Sequence, residues 1–200
     1  MELHRSTVLH AASKMVRERG VDGVTVPEVM ASAGLTHGGF YRHFESKDAL
    51  VAQACAAAFT QRLADMDEAL ESTDNAEAAR RAWLEVYYLS PGHRDSPENG
   101  CAAAALAGDV ARAPDGAALR DTYLDGLKSM IEKMGRLGNR PAGPEAREQE
   151  VLVELATAVG AVVLSRATTG DDLSERLLDA VRRHLIDDGP TPPPSTSQGM

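Results

Sequence analysis

The spacing of apolar residues predicts helices along nearly the whole chain. Apolar residues recur three or four positions apart in the first twenty residues, a period typical of an amphipathic helix, and this pattern ends at Gly20. The same period predicts further helices at about 47–70, 76–89, 101–112, 117–135 and 144–168. Alternation typical of strands is almost absent. The predicted fold class is therefore all-α, with about nine helices in total.

Residues 25–33 contain the signals of a short helix. Thr25 and Glu28 have the spacing of a capping box, in which each side chain bonds the backbone amide of the other. A helix is therefore expected to begin at Val26, and Pro27 is tolerated there because the first turn has no partner for its missing N–H. Gly34 follows as the residue best suited to the left-handed conformation that ends a helix.

A second short helix is expected directly after this turn. Thr36 is its candidate N-cap, and the helix would cover residues 38–44 and bury Phe40 and Phe44. Ser46 caps the next predicted helix. Two short helices joined by a tight turn form a helix-turn-helix, although apolar residues four positions apart are also typical of an ordinary helical hairpin.

The motif carries a resemblance to a known family. Residues 25–50, including 33–35, 40–44 and 46–50, resemble the DNA-binding signature of the TetR family of transcriptional regulators. This close match covers about a quarter of the chain, and the remainder matches in length and helical character. The resemblance implies a three-helix DNA-binding domain over residues 1–50, with its motif at 25–44, and a helical effector-binding and dimerisation domain over 51–187.

Side chains of the motif divide by the DNA contact that their chemistry allows. Threonine, histidine and glycine at the start of the second helix can contact the edges of bases. The hydrogen-bond donors that follow them in the sequence can contact phosphates. The predicted DNA-binding residues are Thr25, Thr36, His37, Gly38, Gly39, Tyr41, His43 and Lys47. None is the bidentate arginine that would identify a guanine, so no operator sequence is predicted.

Charge is distributed unevenly along the chain. The net charge is −9, which taken alone disfavours a nucleic-acid partner. In residues 1–50, however, six Lys and Arg balance six Asp and Glu, so the excess acidity follows residue 50. Four of the six histidines also lie in the first fifty residues, where protonation near phosphate would add positive charge. Non-specific DNA affinity is expected to be weak and strongly salt-dependent.

The last two predicted helices, at about 144–168 and 171–187, have the composition of an interface. Residues 155–164 carry no charge, and leucines with one valine form a stripe along the final helix. The TetR resemblance implies that these helices pair with their symmetry mates as a four-helix bundle in a homodimer, which would bind a palindromic double-stranded operator. Burial within a monomer is the alternative.

Large aromatic and methionine side chains concentrate in the middle helices, in a chain with only 4% aromatic residues. They predict an effector pocket, although such a set also suits an ordinary core. The predicted ligand-binding residues are Phe59, Met66, Trp83, Tyr87, Cys101, Tyr123 and Met130. The family resemblance implies a small-molecule effector of unknown class whose binding releases a repressor from its operator.

Two alternatives to an effector-released repressor remain open. Cys101 follows Gly100 at the start of a helix, where the helix dipole favours a thiolate, so it is a candidate electrophile or oxidant sensor. A small buried side chain is the simpler interpretation of the same cysteine. The other alternative is a helical ligand-binding module that does not bind DNA.

Other functional classes find little support in the sequence. His93, Arg94 and Asp95 match the start of a kinase catalytic loop, but Gly100 stands where that loop needs asparagine, so no enzyme is predicted. Neither a cofactor nor a metal site is expected. The longest uncharged apolar stretch is too short to span a bilayer, which favours a cytoplasmic protein. The proline-rich residues 188–200 are expected to be a disordered tail.

Overall fold

The computed structural model of the chain describes residues 2–141 and 143–187, and these residues contain helices and turns but no strand. The predicted all-α fold class is confirmed. The predicted disordered tail lies outside the described residues. The α-helices of the described ranges are α1 (Glu2–Arg19), α2 (Val26–Ser32), α3 (Lys47–Glu71), α4 (Ala76–Ala82), α5 (Pro91–Asp95), α6 (Ala102–Arg112), α7 (Ala118–Met134), α8 (Pro144–Ala167) and α9 (Asp172–Ile186).

The predicted capping box is present at the start of α2. The Thr25 backbone N–H donates to Glu28 Oε2 at 3.1 Å, and the Glu28 N–H approaches Thr25 Oγ1 at 3.5 Å. These bonds satisfy backbone donors that the first turn of a helix leaves free. Gly34 has φ of +71°, the left-handed conformation expected at the end of α2. The turn between the two motif helices is therefore built as its sequence predicts.

The second motif helix differs from the prediction. It is a 3₁₀-helix over His37–Arg42, not an α-helix over 38–44, and the Thr36 side chain forms no capping hydrogen bond. Two successive glycines lower α-helical stability, and the tighter 3₁₀ form is typical of pieces this short. The predicted burial is nevertheless confirmed, because Phe40 and Phe44 are buried with stacked rings 5.7 Å apart.

The long helix α3 connects the DNA-binding motif to the rest of the molecule. The Ser46 side chain caps it by accepting a hydrogen bond from the Ala49 N–H at 3.0 Å, as predicted. Along its 25 residues α3 packs against α1 on one side and α7 on another. The predicted domain boundary at residue 50 therefore falls inside one continuous helix.

The region after α4 departs most from the sequence prediction. The helix expected over 76–89 changes at Trp83 into a π-helix, Trp83–Tyr88, in which the Leu89 N–H bonds the Leu84 carbonyl at 2.7 Å. Residues 93–100, which lie between the predicted helices at 76–89 and 101–112, are largely helical, since they contain the end of α5 and a 3₁₀-helix, Pro97–Asn99. Ser90 caps α5 with a 3.1 Å bond to the His93 N–H, so Pro91 begins a helix here.

A buried ionic network joins α4 to α8 and α9. Glu154 on α8, 3% exposed, accepts from Arg80 Nε at 2.7 Å and from Arg140 Nη2 at 2.9 Å. Arg80 also donates to the Leu185 backbone carbonyl at 2.8 Å. Because the Glu154 carboxylate lies between two guanidinium groups, the network fixes α8 and α9 against α4.

Candidate functional site

Most of the predicted DNA-contacting residues lie on or directly after the 3₁₀-helix His37–Arg42. Thr36, His37 and Gly38 are exposed, Tyr41 is 74% exposed, and Gly39 is half-buried. His43 and Lys47 follow, both half-buried. The 3₁₀-helix presents these groups because Phe40 and Phe44 anchor its opposite face in the core. The 3₁₀-helix thus exposes hydrogen-bond donors and acceptors on one side, while its other side packs in the core.

Thr25, also predicted to contact DNA, lies exposed at the start of α2. Its hydroxyl donates to Glu28 Oε2 at 2.6 Å, and this side-chain bond is the largest cause of the lowered pKa of Glu28. The hydroxyl is thus engaged in the capping box. Because the Thr25 backbone N–H also donates to Glu28, a phosphate contact from either group of Thr25 would compete with the Glu28 carboxylate.

The predicted ligand-binding residues meet in the interior, with one exception. Phe59, Met66, Trp83, Cys101 and Met130 are buried. Tyr123 is half-buried; its hydroxyl donates to the Ala103 carbonyl at 2.9 Å and its ring meets Phe59 edge-on.

The exception is Tyr87, which is 40% exposed, whereas its neighbour Tyr88 is fully buried. The π-helix explains this difference. Its wider turn places residues five apart near one another, so the Tyr88 ring packs on Trp83 with centroids 4.8 Å apart. The α-helical period of the sequence does not identify Tyr88 as the buried tyrosine. The one sequence signal for Tyr88 is its position next to Tyr87.

Three buried donor atoms in this interior have no hydrogen-bond partner among the described residues. They are Arg62 Nε, Trp83 Nε1 and Tyr88 Oη. Tyr88 is the common neighbour of the other two residues, since its ring packs on Trp83 and the charge of Arg62 acts on the pKa of its hydroxyl. The pKa of Tyr88 lies well above its usual value, first because of burial and then because of the neighbouring Cys101 thiol. The phenol is therefore a neutral donor near pH 7.

Cys101 lies at the N-cap of α6 and is fully buried. Its sulfur is 3.9 Å from the Met130 sulfur, and its backbone N–H donates to His93 Nε2 at 2.9 Å. His93 Nδ1 in turn donates to the Tyr88 carbonyl at 2.7 Å, which fixes the tautomer. Burial lowers the pKa of His93 to about 3. The imidazole is therefore a neutral connection between the π-helix and α6.

Three arginines from three helices bond the backbone of residues 93–100. Arg17 donates to the Gly100 carbonyl at 2.9 Å, Arg62 to the Asn99 carbonyl at 2.8 Å, and Arg166 to the His93 carbonyl at 2.6 Å. Arg17 belongs to α1, which packs against α2 of the helix-turn-helix, so this segment also connects the helix-turn-helix to the interior around Trp83. The sequence does not reveal these arginines, because no periodicity distinguishes a buried arginine from an exposed one.

Apolar side chains remain exposed along the last two helices. The exposed fractions on α8 are 44% for Leu152, 55% for Val153, 40% for Val163 and 53% for Leu164. On α9, Leu173 is 41% exposed. The opposite face of α8 is buried, so these residues form a second apolar face that the described residues of the protomer do not cover.

Two further features, a metal site and a membrane-spanning helix, are absent from the described part of the chain. There, histidine, cysteine and carboxylate side chains do not gather in threes in a geometry that would hold a metal ion. No helix in the described ranges combines the length and apolar content that crossing a membrane requires.

Comparison with known proteins gives a family match for the N-terminal residues and similar folds for most of the chain. Residues 8–54 match the family model described as bacterial regulatory proteins, tetR family. The sequence matches no curated protein. Among solved structures, reduced NemR from Escherichia coli is 18% identical, with a TM-score of 0.75 over 92% of this chain and 95% of its own. A TetR-family regulator from Agrobacterium tumefaciens is 17% identical, with a TM-score of 0.76 over 94% and 97%.

A third similar structure, FadR from Bacillus subtilis in complex with stearoyl-CoA, is 16% identical, with a TM-score of 0.62 over 90% of this chain and 97% of its own. The resemblance inferred from residues 25–50 is thus confirmed by the family model, and the fold is shared over most of the chain. Residues 8–54, which contain the helix-turn-helix, are thus similar to the N-terminal region of the tetR family of bacterial regulatory proteins.

Proposed function

We propose that this chain, which carries the DNA-binding region of the TetR family, acts as a homodimeric repressor that releases its operator when a small molecule binds among the C-terminal helices. The observation that carries the proposal is the exposed surface of residues 36–47, held by a buried aromatic pair within the family-matched region. Base contacts are assigned to Thr36, His37, Gly38 and Gly39, and phosphate contacts to Tyr41, His43 and Lys47.

Dimerisation is proposed through the exposed apolar face of α8 together with α9. Leu152, Val153, Val163 and Leu164 would become buried against the same residues of a second copy, as in an isologous two-fold contact. Apolar side chains on one face leave water when two copies pair, which provides the driving force. A dimer also holds two recognition segments at the spacing of successive major-groove half-sites.

Release by an effector requires the two ligands to favour different conformations. The effector must bind better to the conformation that binds DNA poorly, and DNA must then weaken effector binding by the same factor. A physical route for such coupling exists in the Arg17 bond to Gly100, because it joins α1 to the segment that borders Trp83 and Cys101. The proposed ligand-binding residues are Phe59, Met66, Trp83, Cys101, Tyr123 and Met130.

The thiol-sensor alternative finds less support. Cys101 has no exposed surface, so an electrophile or oxidant could reach its sulfur only after the structure opens. Replacement of Cys101 by serine is expected to leave DNA release by oxidants and electrophiles as it is in the wild type. Loss of oxidant-driven release in that variant would favour the alternative.

Gel-shift with the DNA upstream of the protein's own gene tests the proposed function directly. Specific binding is expected to weaken steeply as salt rises, because phosphate contacts release counterions. His37→Ala is expected to weaken binding to the specific site more than to unrelated DNA, whereas His10→Ala, also exposed but outside the motif, serves as the control. Absence of specific binding at moderate salt would favour a ligand-binding module without DNA binding.

A further inference from the structure

The interior next to the π-helix is poor in hydrogen-bond acceptors. Arg62 Nε, Trp83 Nε1 and Tyr88 Oη all have hydrogens to donate and all are buried, and none has a nitrogen or oxygen partner among the described residues. The polar neighbour of Tyr88 Oη is the Cys101 thiol, whose sulfur is a weak acceptor. Buried polar groups without partners are rare because each one loses its bonds to water. Three such donors near Tyr88 indicate that the partner they require is a hydrogen-bond acceptor.

The same region carries an excess of positive charge, on the buried Arg17 and Arg62 and on the half-buried Arg166. The pKa of His93 is lowered in part by the positive charges of Arg17, Arg62 and Arg166, so all three guanidinium groups act on this region. Arg62 pairs with Asp65 at 2.9 Å, but within the described residues Arg17 and Arg166 form no ion pair and donate to backbone carbonyls or to Gln61. Glu98 is the other carboxylate that acts on this group of arginines. Three guanidinium groups thus face two carboxylates.

Trp83 and Tyr88 belong to one buried apolar cluster of the described residues. Met66, Leu84, Leu106 and Met130 belong to the same cluster and have no exposed surface. A bound molecule must therefore offer an apolar body as well as its acceptor. Methionines are well suited to repack around such a body, because their side chains adapt to irregular shapes.

From these observations we infer that the effector is a small organic carboxylate with an apolar, aromatic-sized body, whose carboxylate accepts hydrogen bonds from Tyr88 Oη, Trp83 Nε1 and Arg62 Nε. The inference rests on the proposed effector-released function, and it specifies the chemistry of the molecule. A cation is disfavoured because it would bring a like charge to buried arginines. A neutral amide supplies the acceptor but leaves the charge excess unbalanced.

The site also explains how such an acid would act on DNA binding. Arg62 bonds the Asn99 carbonyl, and the next residue, Gly100, bonds Arg17 of α1. A carboxylate that draws the Arg62 guanidinium towards itself competes with the Asn99 bond. The shift would then be passed to α1 through the adjoining Gly100 contact.

The chain contains one tryptophan, Trp83, so its fluorescence reports on this site alone. The full-length protein is titrated with benzoate and 1-naphthoate, and separately with the corresponding amides and amines. At least one acid is expected to change the emission saturably. We expect roughly tenfold weaker binding for its amide and no saturable change with its amine. An amide or amine that binds as tightly as the acid, or no saturable response to either acid, would overturn the inference.

Tyr88→Phe removes the central hydroxyl and keeps the ring. In this variant the acid is expected to bind roughly tenfold more weakly, while the matched variant Tyr87→Phe, altered at an exposed ring, binds as the wild type does. The ligand-free Tyr88→Phe protein is expected to melt at the same temperature or higher, because its lost hydroxyl had no partner. A fall of several degrees would show that the hydroxyl has a structural partner such as a buried water, and would overturn the inference.

Gel-shift on the same preparations separates this inference from the proposed function. Specific DNA binding without any response to the acids overturns the ligand assignment and leaves the regulator intact. An acid response in a protein that binds no specific DNA, or that keeps its DNA when the acid saturates Trp83, overturns the proposed repressor and leaves the binding site. Release of DNA by the acid in wild type, weakened in Tyr88→Phe, supports both.

Discussion

His93 shows how one residue can depend on its protonation state for a structural role. Its ring donates to the Tyr88 carbonyl and accepts from the Cys101 N–H, so both nitrogens are used by the neutral form. A second ring proton would displace the Cys101 bond. The charge of the three neighbouring arginines acts in the same direction as burial, which is why protonation is so strongly disfavoured.

Stability is expected to fall between pH 7 and pH 5 because of this histidine. Burial lowers its pKa from 6.5 to about 3, so the unfolded chain binds the proton first. The contribution of His93 is fully present above pH 6.5 and is lost as the pH falls towards 3. By pH 5 the loss is about 2 kcal/mol.

Urea unfolding of wild type and His93→Gln at several pH values measures this effect. The stability advantage of wild type over the variant should shrink by that amount between pH 7 and pH 5. His10→Gln, at an exposed position, should keep the wild-type slope. A constant difference between wild type and His93→Gln would show that the buried imidazole is not the titrating group.

Gly126 provides a residue-scale test of packing between α3 and α7. A Cβ at this position would lie 2.3 Å from Phe59 Cδ2, so Gly126→Ala forces the aromatic ring to move. Overpacking of this kind costs about 1–3 kcal/mol, despite the better helix propensity of alanine. Thermal unfolding should show the loss. Gly108→Ala, also within a helix but facing only the flexible Arg112 side chain, should be neutral or stabilising. Equal stability of the two variants would refute this contact.

At the scale of elements, the sequence predicted the structure where the signals are local. The capping box, Gly34 and Ser46 act within one turn of their own helix, so their spacing is sufficient to locate α2 and α3. The helical period predicts neither the 3₁₀ nor the π segment, because the first follows from two successive glycines and the second depends on contacts outside its own turns. Tyr88 turns inward only because the π-helix and His93 hold it there. For the same reason, the inner tyrosine of the candidate site was assigned to Tyr87.

The ionic network between α4, α8 and α9 makes a prediction at this scale. Glu154→Gln removes the buried negative charge and leaves Arg80 and Arg140 unbalanced. Breaking one side of a buried pair costs about 3–5 kcal/mol, because the remaining charges stay desolvated. Chemical denaturation should therefore show a large loss of stability. Glu148→Gln, exposed on the same helix, should change stability by no more than about 0.5 kcal/mol. A small effect at Glu154 would mean that water enters the network.

At the scale of the whole molecule, function depends on how two regions with different charge are joined. The N-terminal fifty residues are balanced in charge, whereas the rest carries the acidity that repels DNA. The proposed specific DNA binding would therefore require the C-terminal helices to face away from the phosphates while they hold two motifs at a fixed separation. The proposed dimer through α8 and α9 would meet both needs, because these helices are distant in sequence from the motif and carry the exposed apolar face.

Leu164→Lys tests that assembly. Leu164 is 53% exposed in the protomer, so the substitution should leave its fold and helical content intact, but in a dimer it would bury an unpaired ammonium group on each side of the contact. Size-exclusion chromatography with light scattering should show a monomer. Operator affinity should fall about a hundredfold or more, because the two motifs no longer bind as one unit. Leu124→Lys, the same change at a 48% exposed leucine of α7, should remain dimeric and bind DNA normally. If Leu164→Lys stays dimeric, another surface joins the copies; if it becomes monomeric yet keeps its affinity, one motif suffices for recognition.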